Sequence, residues 1–375
     1  MMKIRFTLLL LACATTAFAQ SADSALPGKP APTNMRSAQF PRILPDNRVM
    51  FRIEAPQAQK VQIDLGKVYD LKKDSQGVWT VTTDPVSGGF HYYSLLIDGV
   101  AVADPASETF YGMSRMASGI ELPFAGRDYY ALNDVPHGDI RMKRYYSKVA
   151  GAWKRFFLYT PPGYDTSKDR YPVLYIVHGG GEDERGWATQ GLTDLILDNL
   201  IAARRALPML VVMVDGNAGE LSLEEAYLQQ FDRELKQSII PFVEAQYRVK
   251  AGAANRALAG LSLGGIQTLY TGVNSTDLFS YLGVFSSSWI LPDQAAMAER
   301  QYAYMAANRE KINRNLKQFW ISQGGKEDIA YQNNQAMLAR LKQLGIKYSY
   351  SESPGGHTWP VWRHDLYQFA PLLFR

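Results

Sequence analysis

The stretch Ala257-Leu258-Ala259-Gly260-Leu261-Ser262-Leu263-Gly264-Gly265 decides the fold. It opens as a short apolar run, breaks at a serine held between glycines, and continues as a helical pattern to Gly272. As a string, Gly-x-Ser-x-Gly is weak evidence, because glycine and serine at this abundance produce it by chance. Its position gives it weight. A strand that turns sharply into a helix exposes the serine hydroxyl, glycines on both sides permit the turn, and the helix amino terminus faces developing negative charge. The expectation is a nucleophile at Ser262 rather than an ordinary glycine-rich turn.

On either side of this stretch, residues 156–160, 173–177, 210–214, 281–285, 319–322 and 348–351 are further short apolar or β-rich runs that read as buried strands. Helical patterns lie at 192–206, 223–247, 264–272, 330–344 and 361–373. Such alternation predicts a mostly parallel sheet with helices on both faces, an α/β fold. A serine elbow in that setting predicts the α/β-hydrolase arrangement, in which the base follows the nucleophile in the chain. Of five histidines (His91, His137, His178, His357 and His364), only the last two qualify. His357 sits in a glycine loop just after a strand, whereas His364 already lies within a helical pattern, so His357 is the expected base. Asp328, in the loop Gly324-Gly325-Lys326-Glu327-Asp328 after the strand at 319–322, is the expected acid that fixes its tautomer, in preference to a plain helix cap. Glu327 is the reserve.

Acyl transfer also needs donors for the oxyanion. His178-Gly179-Gly180-Gly181 follows the strand at 173–177, and glycine lets backbone amides approach a substrate oxygen, so the amides of Gly180 and Leu263 are the expected oxyanion hole. Phosphate-loop and dinucleotide glycine patterns are absent, and no cofactor or metal is expected. The acidic run Glu182-Asp183-Glu184 reads as a solvated loop. Trp187, Trp289 and Trp359 each follow one of these loops and are the expected aromatic walls of a substrate pocket.

Towards the amino terminus, alternating apolar residues (Val49, Phe51, Ile53; Val61, Ile63, Leu65; Trp79, Val81; Tyr93, Leu95, Ile97) separated by glycine turns predict a small all-β sandwich over residues 46–124. Residues 20–45, rich in Ala, Ser and Pro, read as a flexible tail, 125–145 as a connector, and 146–375 as the α/β unit. Residues 1–19 read as a secretory signal, with a basic start, a short apolar run and an Ala17-Phe18-Ala19 cleavage site. That predicts an exported protein, periplasmic or extracellular, with no membrane segment beyond the signal. A lipoprotein reading of Cys13 would leave too short an apolar run. Cys13 is the one cysteine, so the mature chain has no thiol chemistry.

The 375 residues are 46% hydrophobic and 20% charged, a globular composition with room for a sizeable core. The net charge is +4, and two of the positive charges, Lys3 and Arg5, lie in the signal. No basic excess is left to track phosphates, which excludes nucleic acid as an expected partner. Oligomeric state is not legible.

Several motifs carry a family resemblance: Asp134-Val135-Pro136-His137-Gly138-Asp139, Tyr159-Thr160-Pro161-Pro162-Gly163-Tyr164, Tyr171-Pro172-Val173-Leu174-Tyr175, His178-Gly179-Gly180-Gly181-Glu182-Asp183-Glu184 and Gly355-Gly356-His357-Thr358-Trp359-Pro360-Val361-Trp362-Arg363. Together they resemble carbohydrate esterase family 1, and more narrowly its feruloyl-esterase-like bacterial members. Phe51-Arg52-Ile53-Glu54-Ala55-Pro56, Gly77-Val78-Trp79, Asp98-Gly99 and Asp104-Pro105 are similar to the early-set, carbohydrate-module-like domain that precedes the esterase in such proteins. The resemblance implies serine ester hydrolysis on plant cell-wall polysaccharide, with the triad on Ser262, Asp328 and His357 and with feruloylated arabinoxylan or its oligosaccharides as substrate. Acetyl esterases share these motifs, so acetyl xylan is the alternative. A siderophore esterase of the enterobactin type and a non-catalytic carbohydrate-binding protein are remoter ones.

Overall fold

The computed structural model describes residues 26–217, 225–289 and 295–375. The signal reading at residues 1–19 lies outside them. An eight-stranded sheet forms the carboxyl-terminal part, in the order Asp139–Ser147, Ala152–Thr160, Leu210–Val214, Val173–Val177, Arg256–Leu261, Tyr281–Phe285, Gln318–Gln323, Ser349–Glu352. The first two strands form an antiparallel hairpin, the second also runs antiparallel to Leu210–Val214, and the remaining pairs are parallel.

Side chains alternate across a strand, so a sheet covered on both faces needs apolar residues at every position. The strand Val173–Val177 does this: Val173, Tyr175 and Val177 enter one core layer, and Leu174 and Ile176 the other. Helices Glu225–Glu234, Ile240–Gln246, Leu263–Val273 and Ala295–Ala307 lie on the first side, and helices Thr193–Ala202 and Trp359–Phe369 on the second. The register aligns the carboxyl ends. Val177 pairs with Gly260, Leu261 with Phe285, Phe285 with Ser322 and Gln323 with Glu352, so the loops that follow these strands open on one edge. Among the described residues no helix is long and apolar enough to cross a membrane.

The amino-terminal part is β-rich. A five-stranded sheet and a six-stranded sheet enclose Val49, Phe51, Val61, Ile63, Trp79, Tyr93, Leu95 and Ile120. Two expected boundaries are corrected. The tail read at 20–45 is ordered over its described residues: Lys29–Pro30 pairs with Arg42–Ile43, which pairs in turn with the strand Val49–Glu54. Arg42 is buried and donates to the carbonyls of Pro27 (3.0 Å) and Gly28 (2.8 Å). Of the prolines that suggested a tail, Pro30 lies in the edge strand of this sheet, where a missing N–H costs no ladder bond. The connector read at 125–145 is likewise too long, because the strand Asp139–Ser147 already belongs to the large sheet. It is an edge strand with exposed charged positions, which removes the apolar signature of its neighbours.

Candidate active site

Every residue of the strand Arg256–Leu261 is buried, and the helix Leu263–Val273 starts one residue after it. Ser262 makes the turn alone, with φ +50° and ψ −118°, a conformation that costs a non-glycine residue strain and persists when neighbours over-determine it. They do so here. The Ser262 amide donates to the Phe285 carbonyl (2.9 Å), and its carbonyl accepts from the Ser287 hydroxyl (2.6 Å). A Cβ on Gly260 would stand 2.2 Å from the Gly264 carbonyl oxygen, and one on Gly264 would stand 2.4 Å from that of His178. Both positions therefore require glycine.

His357 Nδ1 donates to Asp328 Oδ1 at 2.8 Å. The Asp328 carboxylate is fully buried; Oδ1 also accepts from the Ala330 amide (2.9 Å) and Oδ2 from the Gly324 amide (3.2 Å). Burial pushes this carboxyl up, but the hydrogen bonds from His357 and the backbone outweigh burial and hold it below its ordinary value. The Gly325 amide donates to the Gly355 carbonyl (2.7 Å) and so fixes the acid loop against the histidine loop. Glu327 is exposed, and among the described residues no hydrogen bond or ion pair joins it to His357. His364 lies against Tyr129 and Tyr367, and burial, helped by Arg127, pushes it down to about 4.

The two glycines of the loop after Val177 face the elbow: a Cβ on Gly179 would be 3.4 Å from Ser262 Cβ, and one on Gly180 would be 4.0 Å from Leu263 Cβ. Gly180, Ser262 and His357 line one cavity of about 370 Å³. Its carboxyl-terminal wall is Glu182, Trp359 and Trp362, the last meeting the His357 ring edge-on at 5.1 Å. Its other wall comes from the amino-terminal sheet, through Asp64, Phe90, Tyr92, Met113 and Arg115.

This second wall was not foreseen, yet a signal for it exists. The strand Gly89–Ile97 carries Phe90 and Tyr92 on one face as well as Tyr93 and Leu95 on the other, a doubly apolar pattern that calls for a second buried contact. The expected tryptophan walls are corrected in turn. Trp187 is buried below the cavity, where its Nε1 donates to the Val177 carbonyl (3.0 Å) and its ring meets Trp359 edge-on. Trp289 packs in the core layer on the opposite side of the sheet. Only Trp359 of the three lines the cavity, and Trp362, not singled out in the sequence, stands beside it.

The acidic run is also corrected, because its three residues are buried. Glu182 Oε1 accepts from Tyr92 Oη (3.0 Å) and Trp359 Nε1 (2.8 Å), and burial pushes this carboxyl up. Asp183 pairs with Arg185, and Glu184 with Arg155. Hydrogen bonds from Tyr92 and Trp359 and ion pairs with Arg185 and Arg155 satisfy what looked like a solvated loop. Among the described residues no group of three His, Cys, Asp or Glu side chains is placed to hold a metal ion.

A xylanase/feruloyl esterase of Xylanibacter ruminicola is 34% identical over 360 residues, a match that covers 92% of this chain and 47% of that protein, so the chain spans about half the length of this relative. The feruloyl esterase module of Clostridium thermocellum, solved as a mutant complexed with sinapinate, superimposes with a TM-score of 0.58 at 25% identity, over 67% of this chain and 93% of that one. The enterobactin esterase of Shigella flexneri shares the fold at 19% identity and a TM-score of 0.66, over 86% of this chain and 92% of that one. The esterase family described as "Putative esterase" matches residues 147–373. This chain belongs to that esterase family.

Proposed function

We propose that the chain is an exported serine esterase that cleaves hydroxycinnamoyl esters, feruloyl above all, from xylan or its oligosaccharides. The observation that carries this reading is the hydrogen bond to the buried Asp328 from His357, which lines the same cavity as the strained Ser262. In the proposed reaction Ser262 Oγ attacks the ester carbonyl while His357 Nε2 takes its proton and Asp328 steadies the imidazolium. The amides of Gly180 and Leu263 receive the oxyanion. The bond to the sugar oxygen breaks, His357 returns the proton to that oxygen, and water then releases the acid from Ser262 by the same steps in reverse order.

The acyl group is argued from the walls. Phe90, Tyr92, Trp359 and Trp362 give the cavity several aromatic faces, which suit a flat hydroxycinnamoyl ring better than an acetyl group. The relative that combines xylanase and feruloyl esterase, and the module complexed with sinapinate, support the same class. The likeness to the enterobactin esterase concerns the fold alone. Export follows from the signal-like residues 1–19 and from the substrate, since a cell-wall polymer lies outside the cell that digests it. On this reading a β-sandwich unit precedes the esterase unit, which begins at the strand Asp139–Ser147.

The test compares turnover of methyl ferulate, p-nitrophenyl acetate and acetylated xylan, with Ser262→Ala as control. The feruloyl reading predicts a kcat/KM on methyl ferulate above that on p-nitrophenyl acetate. Rapid deacetylation of xylan with methyl ferulate untouched makes the chain an acetyl esterase instead.

A further inference from the structure

His357 stands on the leaving-group side of the serine, because the nitrogen that accepts the serine proton must return it to the departing oxygen. The helix Trp359–Phe369 follows directly, and the amino-terminal sheet is docked on it. Gly89 packs on Pro360, where an added Cβ would lie 2.6 Å from the ring, and Arg363 makes a two-pronged ion pair with Glu121 at 2.9 and 3.0 Å. On the other flank the turn Met113-Ser114 rests on the oxyanion loop, its Ser114 amide donating to the Gly181 carbonyl at 2.8 Å. Met113 and Ser114 both have positive φ, +54° and +60°, which places two side-chain-bearing residues in a turn conformation that favours Asn and Gly. Gln190 and Glu182 tie Tyr92 into the same contact. The sheet thus spans from the base loop to the oxyanion loop and overhangs Ser262 as a fixed roof.

Two unspent charges stand on that roof. In the sheet order, strand Gly89–Ile97 lies between Arg115–Leu122 and Val61–Asp64. Asp64 is opposite Ser94 in register, and Arg115 donates to the Ser94 hydroxyl at 3.0 Å from the other side. That is the hydrogen bond the Arg115 guanidinium makes among the described residues, and no carboxylate there lies within ion-pair distance of it. The Asp64 carboxylate accepts no hydrogen bond among the described residues. Both line the cavity, on the sheet face that also carries Phe90 and Tyr92.

We infer that Arg115 and Asp64 form a saccharide subsite that recognises the glycosyl leaving group, with the amino-terminal sheet supplying specificity for a sugar ester over a simple alkyl ester. A guanidinium offers a planar fork of donors, a carboxylate offers acceptors, and neighbouring sugar hydroxyls are donor and acceptor at once. A methyl leaving group has nothing for either to hold. The inference rests on the serine-esterase reading but not on which acyl group is cleaved.

The test measures kcat/KM for wild type, Arg115→Ala and Asp64→Ala on a feruloylated arabino-oligosaccharide and on methyl ferulate. Wild type should prefer the oligosaccharide ester, and each variant should lose about tenfold more on it than on methyl ferulate, mainly through KM. Equal loss on the two substrates, no loss, or no wild-type preference for the sugar ester overturns the subsite. Wild-type rates on methyl ferulate and p-nitrophenyl acetate judge the acyl group separately. Should acetyl prove the true acyl group, the same ratio measured with an acetylated xylo-oligosaccharide against p-nitrophenyl acetate decides the role of Arg115 and Asp64.

Discussion

Replacing Asp328 with asparagine keeps the shape of a side chain that three donors surround and removes its charge. With its oxygen at the Oδ1 position, the amide still accepts from His357 Nδ1 and the Ala330 amide, which lie 2.8 and 2.9 Å from that atom. Its NH₂ then confronts the Gly324 N–H, which Oδ2 accepts at 3.2 Å. The opposite orientation would satisfy Gly324 but turn the NH₂ towards the Ala330 amide and force His357 into the other tautomer. Two retained bonds against one favour the first orientation, so the tautomer survives and the loss is chiefly that of charge. A charge-assisted bond supports the His357 imidazolium by about 1.5–3 kcal/mol. At ~1.4 kcal/mol per decade that predicts a fall in kcat of about 10- to 150-fold, well short of the ~10⁴ that accompanies an inverted tautomer. The opposed donors at Gly324 should cost about 1–3 kcal/mol of stability. Steady-state kinetics on the preferred ester and a denaturation curve measure both. A kcat within threefold of wild type, or a larger loss from Glu327→Gln, would refute the role given to Asp328.

His357→Ala should cut kcat by about 10³ or more, whereas His364→Ala should stay within about fivefold of wild type, because His364 meets Tyr129, Tyr367 and Gln368 and does not line the cavity; equal losses would leave the base unassigned. Trp362→Leu should lower the ferulate-to-acetate efficiency ratio by about fivefold, since one aromatic wall is worth ~1 kcal/mol to a flat acyl group; an unchanged ratio would place that ring elsewhere. Asp365 is fully buried, and burial pushes its carboxyl up to about 8. The folded chain therefore holds a proton that the unfolded chain releases near an ordinary carboxylate value, so the contribution of this one group to stability should decline from about pH 4 to about pH 8 and level off above. Urea denaturation across that window should show a shallower decline in Asp365→Asn, and identical slopes would contradict the buried neutral acid.

The sequence was most readable where function depends on local geometry. Ser262, Gly180, Asp328 and His357 each follow a strand end by a few residues, and the aligned carboxyl ends of a parallel sheet bring such loops together whatever the details of packing. Readings failed where partners come from far along the chain. Glu182 looked solvated because Tyr92 and Trp359, which bury it, lie 90 and 177 residues away. Trp187 and Trp289 follow the right loops, but their rings turn into the core, a choice made by packing rather than by position. The ordered strand Lys29–Pro30 was hidden by prolines, and the helix Ala295–Ala307, which buries Met297, Gln301, Tyr302 and Met305, by a weakly amphipathic sequence. The roof over Ser262 was missed because the doubly apolar strand Gly89–Ile97 calls for a second buried contact without naming its distant partner.

The most direct test of the central claim is to trap the acyl-enzyme. A fluorophosphonate, or a feruloyl ester quenched in acid during turnover, is digested with the enzyme and the modified peptide sequenced by mass spectrometry. The account predicts one modified residue, Ser262, with labelling and turnover both lost in a folded Ser262→Ala variant. Modification at another residue, or ester hydrolysis that persists in Ser262→Ala, would contradict it.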